Sequence, residues 1–144
     1  FGESAGARNI YGLLASPLMG PYTVSKQAVV ALSETLHYEF ESIGAQLRVS
    51  VLCPGPVATD IAGSGSERDL ARAVPDDASA QMLGYLRAGI AAGMAPAECA
   101  AKVFQGIRDE LFWIFTHEEF KPGYAARCDS IMAGQNPHYQ PFSI

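Results

Sequence analysis

Between Gln46 and Pro56 the chain reads QLRVSVLCPGP, and no other segment narrows its fold as far. Val49, Val51, Leu52 and Cys53 form a short apolar run rich in β-branched residues, cut off by Pro54-Gly55-Pro56. This pattern predicts a buried strand with a sharp end. A helical pattern precedes it, and parallel strands are joined through helices, so the strand is expected to be parallel to its neighbours.

The preceding helix is expected to begin near Pro21, a residue suited to a first helical turn, and to stop at Gly44. Val29, Leu32, Leu36, Phe40 and Ile43 recur at helical spacing and predict its apolar stripe. Ala28, Ala31 and Thr35 make a second face, small enough to admit another helix at close range. After the strand, residues 60–95 are long, irregular and Gly- and Met-containing, with helical pieces expected at about 66–73 and 77–91. Met82, Leu83, Leu86, Ile90 and Met94 give this segment loose apolar surface, the pattern of a lid. A further helix is expected over Pro96 to Asp109 with Val103, Phe104 and Ile107 inward. A second strand is expected in LFWIFTH, 111–117, and a last short helix in KPGYAARCDSIMAGQNP.

Alternating helices and strands imply an α/β layered sheet in a single domain spanning 1–144. Two strands are too few to stand alone, because an independent sheet wants three or more. The sequence therefore reads as part of a domain. SAGAR, before Asn9, has no strand character, and a jump across absent residues near Arg8–Asn9 is expected.

Composition removes several function classes. With 49% hydrophobic and 17% charged residues the chain is globular. A net charge of −5 gives no basic footprint for nucleic acid. No apolar run reaches the ~18 residues of a membrane span, and Phe1-Gly2-Glu3-Ser4 lacks the basic and apolar regions of a signal peptide. Cys53, Cys99 and Cys128 are odd in number and widely spaced, which fits reduced thiols and a cytoplasmic location. His37, His117 and His138 are scattered, show no metal-ligand spacing, and read as packing or surface residues.

One pair invites a chemical reading. In GPYTVSKQAVVALSETL, Tyr22 and Lys26 stand four apart and so share a helical face. A phenol, pKa ~10, is a poor base at neutral pH. A cation at ~4 Å and an effective dielectric of ~20 stabilises its phenolate by about 4 kcal/mol, an upper estimate of roughly three pK units. Spacing alone is weak, since chance yields such a pair in about one chain in eight of this composition.

The pair has company. Twenty-eight residues after Lys26 stands Pro54-Gly55-Pro56-Val57-Ala58-Thr59 at a strand end. Together with GPYTVSK, the WIFTH strand and the SIMAGQNP tail, this resembles the C-terminal, catalytic half of the short-chain dehydrogenase/reductase family over nearly all of residues 9–137. The resemblance implies part of a Rossmann-like doubly wound parallel sheet whose N-terminal nucleotide-binding half is missing here. It implies NAD or NADP as cofactor, with Tyr22 as the acid/base. Lys26 would lower the tyrosine's pKa and bond the nicotinamide ribose, and Pro54, Gly55, the Val57 backbone and Thr59 would hold the carboxamide. It also implies a small-molecule substrate and assembly as a homodimer or homotetramer, and the lid suggests an apolar substrate.

Two departures matter. The family places a serine thirteen residues before the tyrosine, and here that position is Asn9. An amide can donate to a substrate carbonyl, but it cannot copy a hydroxyl. Nor does any Gly-x-x-x-Gly-x-Gly turn occur in the 144 residues; GSGSERD follows the Pro-Gly strand and reads as a loop. The implied function is an NAD(P)-dependent oxidoreductase interconverting an alcohol and a carbonyl. The alternative is a catalytically impaired relative acting as an assembly or regulatory partner.

Overall fold

A computed structural model describes residues 12–17, 19–59, 84 and 87–138. Five regular elements carry the fold among the described residues. They are α1 (Gly20–Ser42), β1 (Val51–Cys53), α2 (Pro96–Arg108), β2 (Trp113–Phe115) and α3 (Lys121–Met132), with a 3-10 turn at Glu118–Phe120 before α3. Helices α1, α2 and α3 each have proline in the first two positions, where a missing N–H leaves no bond unmade.

Helix α1 ends as its sequence predicts. Gly44 takes φ +63° and the Ala45 N–H reaches back to the Phe40 carbonyl at 2.9 Å, closing the helix at its glycine. Strands β1 and β2 pair in parallel, with Val51 opposite Trp113, Leu52 opposite Ile114 and Cys53 opposite Phe115. Helix α2 supplies the crossover, with Glu98 in its first turn and Arg108 in its last, both favourable to the helix dipole. The core joins α1 to the sheet through Leu13, Val30, Val51 and Cys53, flanked by Phe112, Trp113, Phe115 and Tyr124.

The helix faces differ from expectation. On α1 the buried residues are Thr23 and Val30. Leu32 is 61% exposed and Ile43 75%, while Val29, Leu36 and Phe40 are half-buried. The face toward the sheet follows a seven-residue step through Thr23, Val30 and His37, whose ring lies 5.0 Å from that of Phe112. A narrow two-stranded surface covers only that strip. On α2 the expected inward set of Val103, Phe104 and Ile107 is likewise corrected: Phe104 is 66% exposed, Ile107 is exposed and Val103 half-buried. Cys99 and Gly106, again seven apart, face the sheet instead.

Gly106 is what lets α2 approach β2. A Cβ there would lie 2.8 Å from Ile114 Cγ1 and 3.2 Å from its Cγ2. Glycine to alanine inside a helix ordinarily gains up to ~1 kcal/mol. Here crowding against a stiff β-branched side chain outweighs that gain, and Gly106→Ala is expected to destabilise by about 1–2 kcal/mol. Urea unfolding checks this, with Ile114→Val expected to recover part of the loss in the double variant.

Candidate active site

Tyr22 lies in the first turn of α1 and Lys26 one turn on, so the helix itself fixes their relation. The Lys26 ammonium sits over the tyrosine ring, 5.3 Å from its centroid, and both side chains are half-buried. That is within the range of a cation–π contact. Ser25 Oγ donates to the Tyr22 carbonyl at 2.7 Å, using a backbone acceptor near the helix start. Thr23, beside the tyrosine, is buried and its hydroxyl has no hydrogen-bond partner.

The second part is the loop after β1. Pro54, Gly55 and Val57 are buried, Pro56 and Ala58 are half-buried, and Thr59 is exposed. Two flanks hold it. On one, the Gly55 N–H donates to His117 Nδ1 at 3.1 Å. On the other, Val57 forms a parallel bridge with Met94: the Met94 N–H donates to the Pro56 carbonyl at 3.0 Å and the Ala58 N–H to the Met94 carbonyl at 2.9 Å. A bridge of this form engages the residues either side of Val57 and leaves the Val57 amide and carbonyl outside the pairing.

Glycines make both flanks close. A Cβ on Gly55 would lie 2.6 Å from Phe120 Cε2 and 2.7 Å from His117 Cγ. On Gly93 it would lie 2.7 Å from the Pro56 carbonyl carbon and oxygen.

The predicted site residues therefore fall into two groups. Tyr22 and Lys26 are in contact, and Pro54, Gly55, Val57 and Thr59 share one loop. Asn9 lies outside the described residues, as does most of the expected lid, including Met82, Leu83, Leu86 and the piece at 66–73. Residues 87–91 are helical, within the span expected for the second piece. Met94 is half-buried, and its backbone is bridged to the loop. His117, Thr116, Phe120 and Gly93 were not picked out from sequence. The usable signal was register. With Cys53 opposite Phe115, the residues just beyond the two strands, 54–55 and 116–117, must lie side by side.

Cys53 closes the floor beneath this loop. Burial pushes its thiol from 9.0 up to about 12. Cys99 is raised by burial too, with Lys102 opposing and Glu98 assisting. Tyr124 is raised by burial first, then by a hydrogen bond with the Cys128 side chain and that group's charge, with Arg127 opposing and Glu34 assisting. Among the described residues no three His, Cys, Asp or Glu side chains cluster as a metal site.

Comparison with known proteins places this arrangement. Residues 9–69 match the family model for short chain dehydrogenase. A CLA biosynthesis dehydrogenase/reductase of Lactiplantibacillus plantarum is 30% identical over 135 residues, covering 90% of this chain and 47% of that relative. The crystal structure of a short chain dehydrogenase/reductase from Burkholderia phymatum, in complex with NAD, superposes with TM-score 0.83 at 31% identity, over 95% of this chain and 50% of that one. A chain described as a short-chain dehydrogenase from Novosphingobium aromaticivorans gives 0.61 at 27%, over 94% and 37%. The chain thus spans about half the length of the curated relative it matches. The fold is part of a doubly wound parallel α/β sheet of the Rossmann type.

The raised Cys53 thiol has a consequence in alkali. Below pH 9 the group is protonated in folded and unfolded chains alike and contributes no slope. From pH 9 toward about 12 the unfolded chain releases this proton and the folded chain keeps it. Stability then falls by up to ~1.4 kcal/mol per pH unit from this group. Urea midpoints of the native chain and Cys53→Ala, compared at pH 8 and pH 10.5, are expected to converge at the higher pH. Parallel lines would contradict the buried-thiol account.

Proposed function

We propose that this chain, a member of the short-chain dehydrogenase/reductase family, carries the catalytic half of an NAD(P)-dependent oxidoreductase that interconverts an alcohol and a carbonyl. The observation that carries this reading is the Lys26 ammonium over the Tyr22 ring at 5.3 Å from the centroid.

Each residue's part follows from its chemistry. A cation this close favours phenolate over phenol, so it readies Tyr22 to take a proton from an alcohol or return one to a carbonyl oxygen. Lys26 keeps three donors, enough to bond a ribose hydroxyl while facing the ring. The Val57 amide and carbonyl, outside the Met94 bridge, suit a carboxamide, which offers both a donor and an acceptor. Thr59 is exposed two residues further along the loop, and its hydroxyl would bond the same group. When bound, a nicotinamide dinucleotide supplies or accepts the hydride at the substrate carbon. The NAD of the Burkholderia phymatum structure supports that choice of cofactor class. The residues of this half fit the nicotinamide end. No glycine turn for the pyrophosphate occurs in the sequence.

The rest of the reading is coarser. Asn9, in the serine's position, would donate its amide to the substrate oxygen. Ile90 and Met94, half-buried, favour an apolar small-molecule substrate. Residues 1–144 would form one domain segment, and the exposed face of Ala28, Ala31 and Thr35 would meet a second copy in a homodimer or homotetramer. No described helix is long and apolar enough to cross a membrane, and a cytoplasmic location is part of the proposal. A second reading, an impaired relative acting as an assembly partner, draws on Asn9 and on the apolar residues exposed on α1 and α2.

Fluorescence titration with NADH and NADPH, followed by turnover, separates the two. The enzyme reading expects Tyr22→Phe to lower kcat by about 10²–10⁴-fold with dinucleotide affinity nearly unchanged. Lys26→Met is expected to weaken dinucleotide binding and lower kcat together. A native chain that binds neither dinucleotide favours the partner reading.

A further inference from the structure

We propose that His117 is a positioning residue for the loop after β1. Its neutral imidazole accepts the Gly55 amide at Nδ1 and holds residues 54–57 in the form that leaves the Val57 backbone for a carboxamide. The inference deepens the oxidoreductase reading and rests on it for the identity of the ligand.

A buried peptide N–H needs an acceptor. Gly55 lies two residues beyond the end of β1, so the strand ladder does not supply one. His117 Nδ1 does, at 3.1 Å. An amide only donates, so Nδ1 carries the lone pair and the ring proton sits on Nε2. The ring is seated as well as bonded. It lies against the bare α-carbon of Gly55 beside Phe120, whose ring centroid is 5.9 Å away. The cavity that His117 and Phe120 line with Leu13, Leu14, Cys53 and Tyr124 is about 10 Å³, at the lower limit for one water. A water replacing the imidazole as acceptor has little room.

The strand end that carries His117 is itself fixed. Thr116 is 2% exposed, and its carbonyl accepts from Lys102 Nζ of α2 at 2.7 Å. The Thr116 hydroxyl oxygen lies 2.6 Å from the same Nδ1. A hydroxyl donates or accepts, so it can share the lone pair of the neutral ring. The charged and titratable groups around the ring are Lys102 from α2, Cys53 from β1 and Tyr124 from α3. Glu118 and Lys121, in the adjoining turn and at the start of α3, are paired with each other at 2.6 Å.

The test uses two substitutions in the full chain. His117→Phe keeps a ring and removes the acceptor; His117→Asn supplies an amide oxygen near the Nδ1 position. Hydrogen exchange of the Gly55 amide, corrected for intrinsic rates, is read by NMR at one fixed pH. Gly55 is expected to be protected in the native chain and in His117→Asn, and to exchange about tenfold faster in His117→Phe, the size of one net hydrogen bond. The KM for NADH or NADPH should rise about tenfold in His117→Phe, with kcat within about threefold, and return in His117→Asn. Unchanged Gly55 protection in His117→Phe, or protection lost in His117→Asn as fully as in His117→Phe, overturns the proposal. A native chain that binds no dinucleotide overturns the oxidoreductase reading and the carboxamide role with it, while Gly55 exchange still judges the hold of His117 on the loop.

Discussion

Val51, Leu52 and Cys53 lie opposite Trp113, Ile114 and Phe115 in parallel register, and the placement of the loop site follows from that pairing. Parallel strands end on the same side of a sheet. The loop after Cys53 and the turn after Phe115 therefore emerge together, which brings Gly55 to His117. An antiparallel pairing would have sent the two to opposite edges. The pairing also fixes which residue of β2 faces α2, and so which residue of α2 must be glycine. In open α/β sheets the crevice beyond the carboxyl ends is where ligands bind, and the loop 54–59 leaves β1 at that end.

The sequence made the elements legible to within a few residues because their signals are local. A proline opens α1, α2 and α3, Gly44 and the Pro-Gly-Pro run mark stops, and β-branched residues mark the strand before it. The Tyr22–Lys26 contact was legible for the same reason, since four-residue spacing on a helix nearly determines it. What failed was the choice of buried face. Apolar periodicity selected Leu32 and Ile43, while the structure buries Thr23 and Val30. Periodicity tells which side of a helix is apolar, not which side the available partner covers. His117 failed differently: its partner is 62 positions away in sequence, and only the register of two strands connects them.

The mismatch between apolar and buried faces has a physical reading. Leu32 and Ile43 on α1 and Phe104 and Ile107 on α2 are exposed. Each exposed side chain forgoes roughly 1.5–3 kcal/mol that full burial would contribute. The chain spans about half the length of the curated relative it matches. The two described strands are fewer than the three an independent sheet wants. Thr23, next to Tyr22 in the sequence, is a buried hydroxyl with no hydrogen-bond partner. An unmet donor of this kind ordinarily costs about 1–3 kcal/mol.

The site itself is nonetheless held firmly, and the reason lies in three absent side chains. Gly106 lets α2 close on Ile114, Gly93 lets the segment before α2 close on Pro56, and Gly55 lets the His117 ring close on the loop. These contacts form a circuit: β1 to its loop, loop to Met94, Met94 to α2, α2 to β2, and β2 through His117 back to the loop. A loop tied at one point swings about it; one tied on both flanks through a closed circuit has its peptide planes set. That is the condition for Val57, whose own amide and carbonyl lie outside the bridging bonds, to present a fixed donor and acceptor. Preorganisation of this kind places the reacting geometry before any ligand arrives, and it is where backbone groups gain their effect in a binding site. The circuit closes within residues 53–120, so the loop is tied on both flanks by contacts these residues make among themselves.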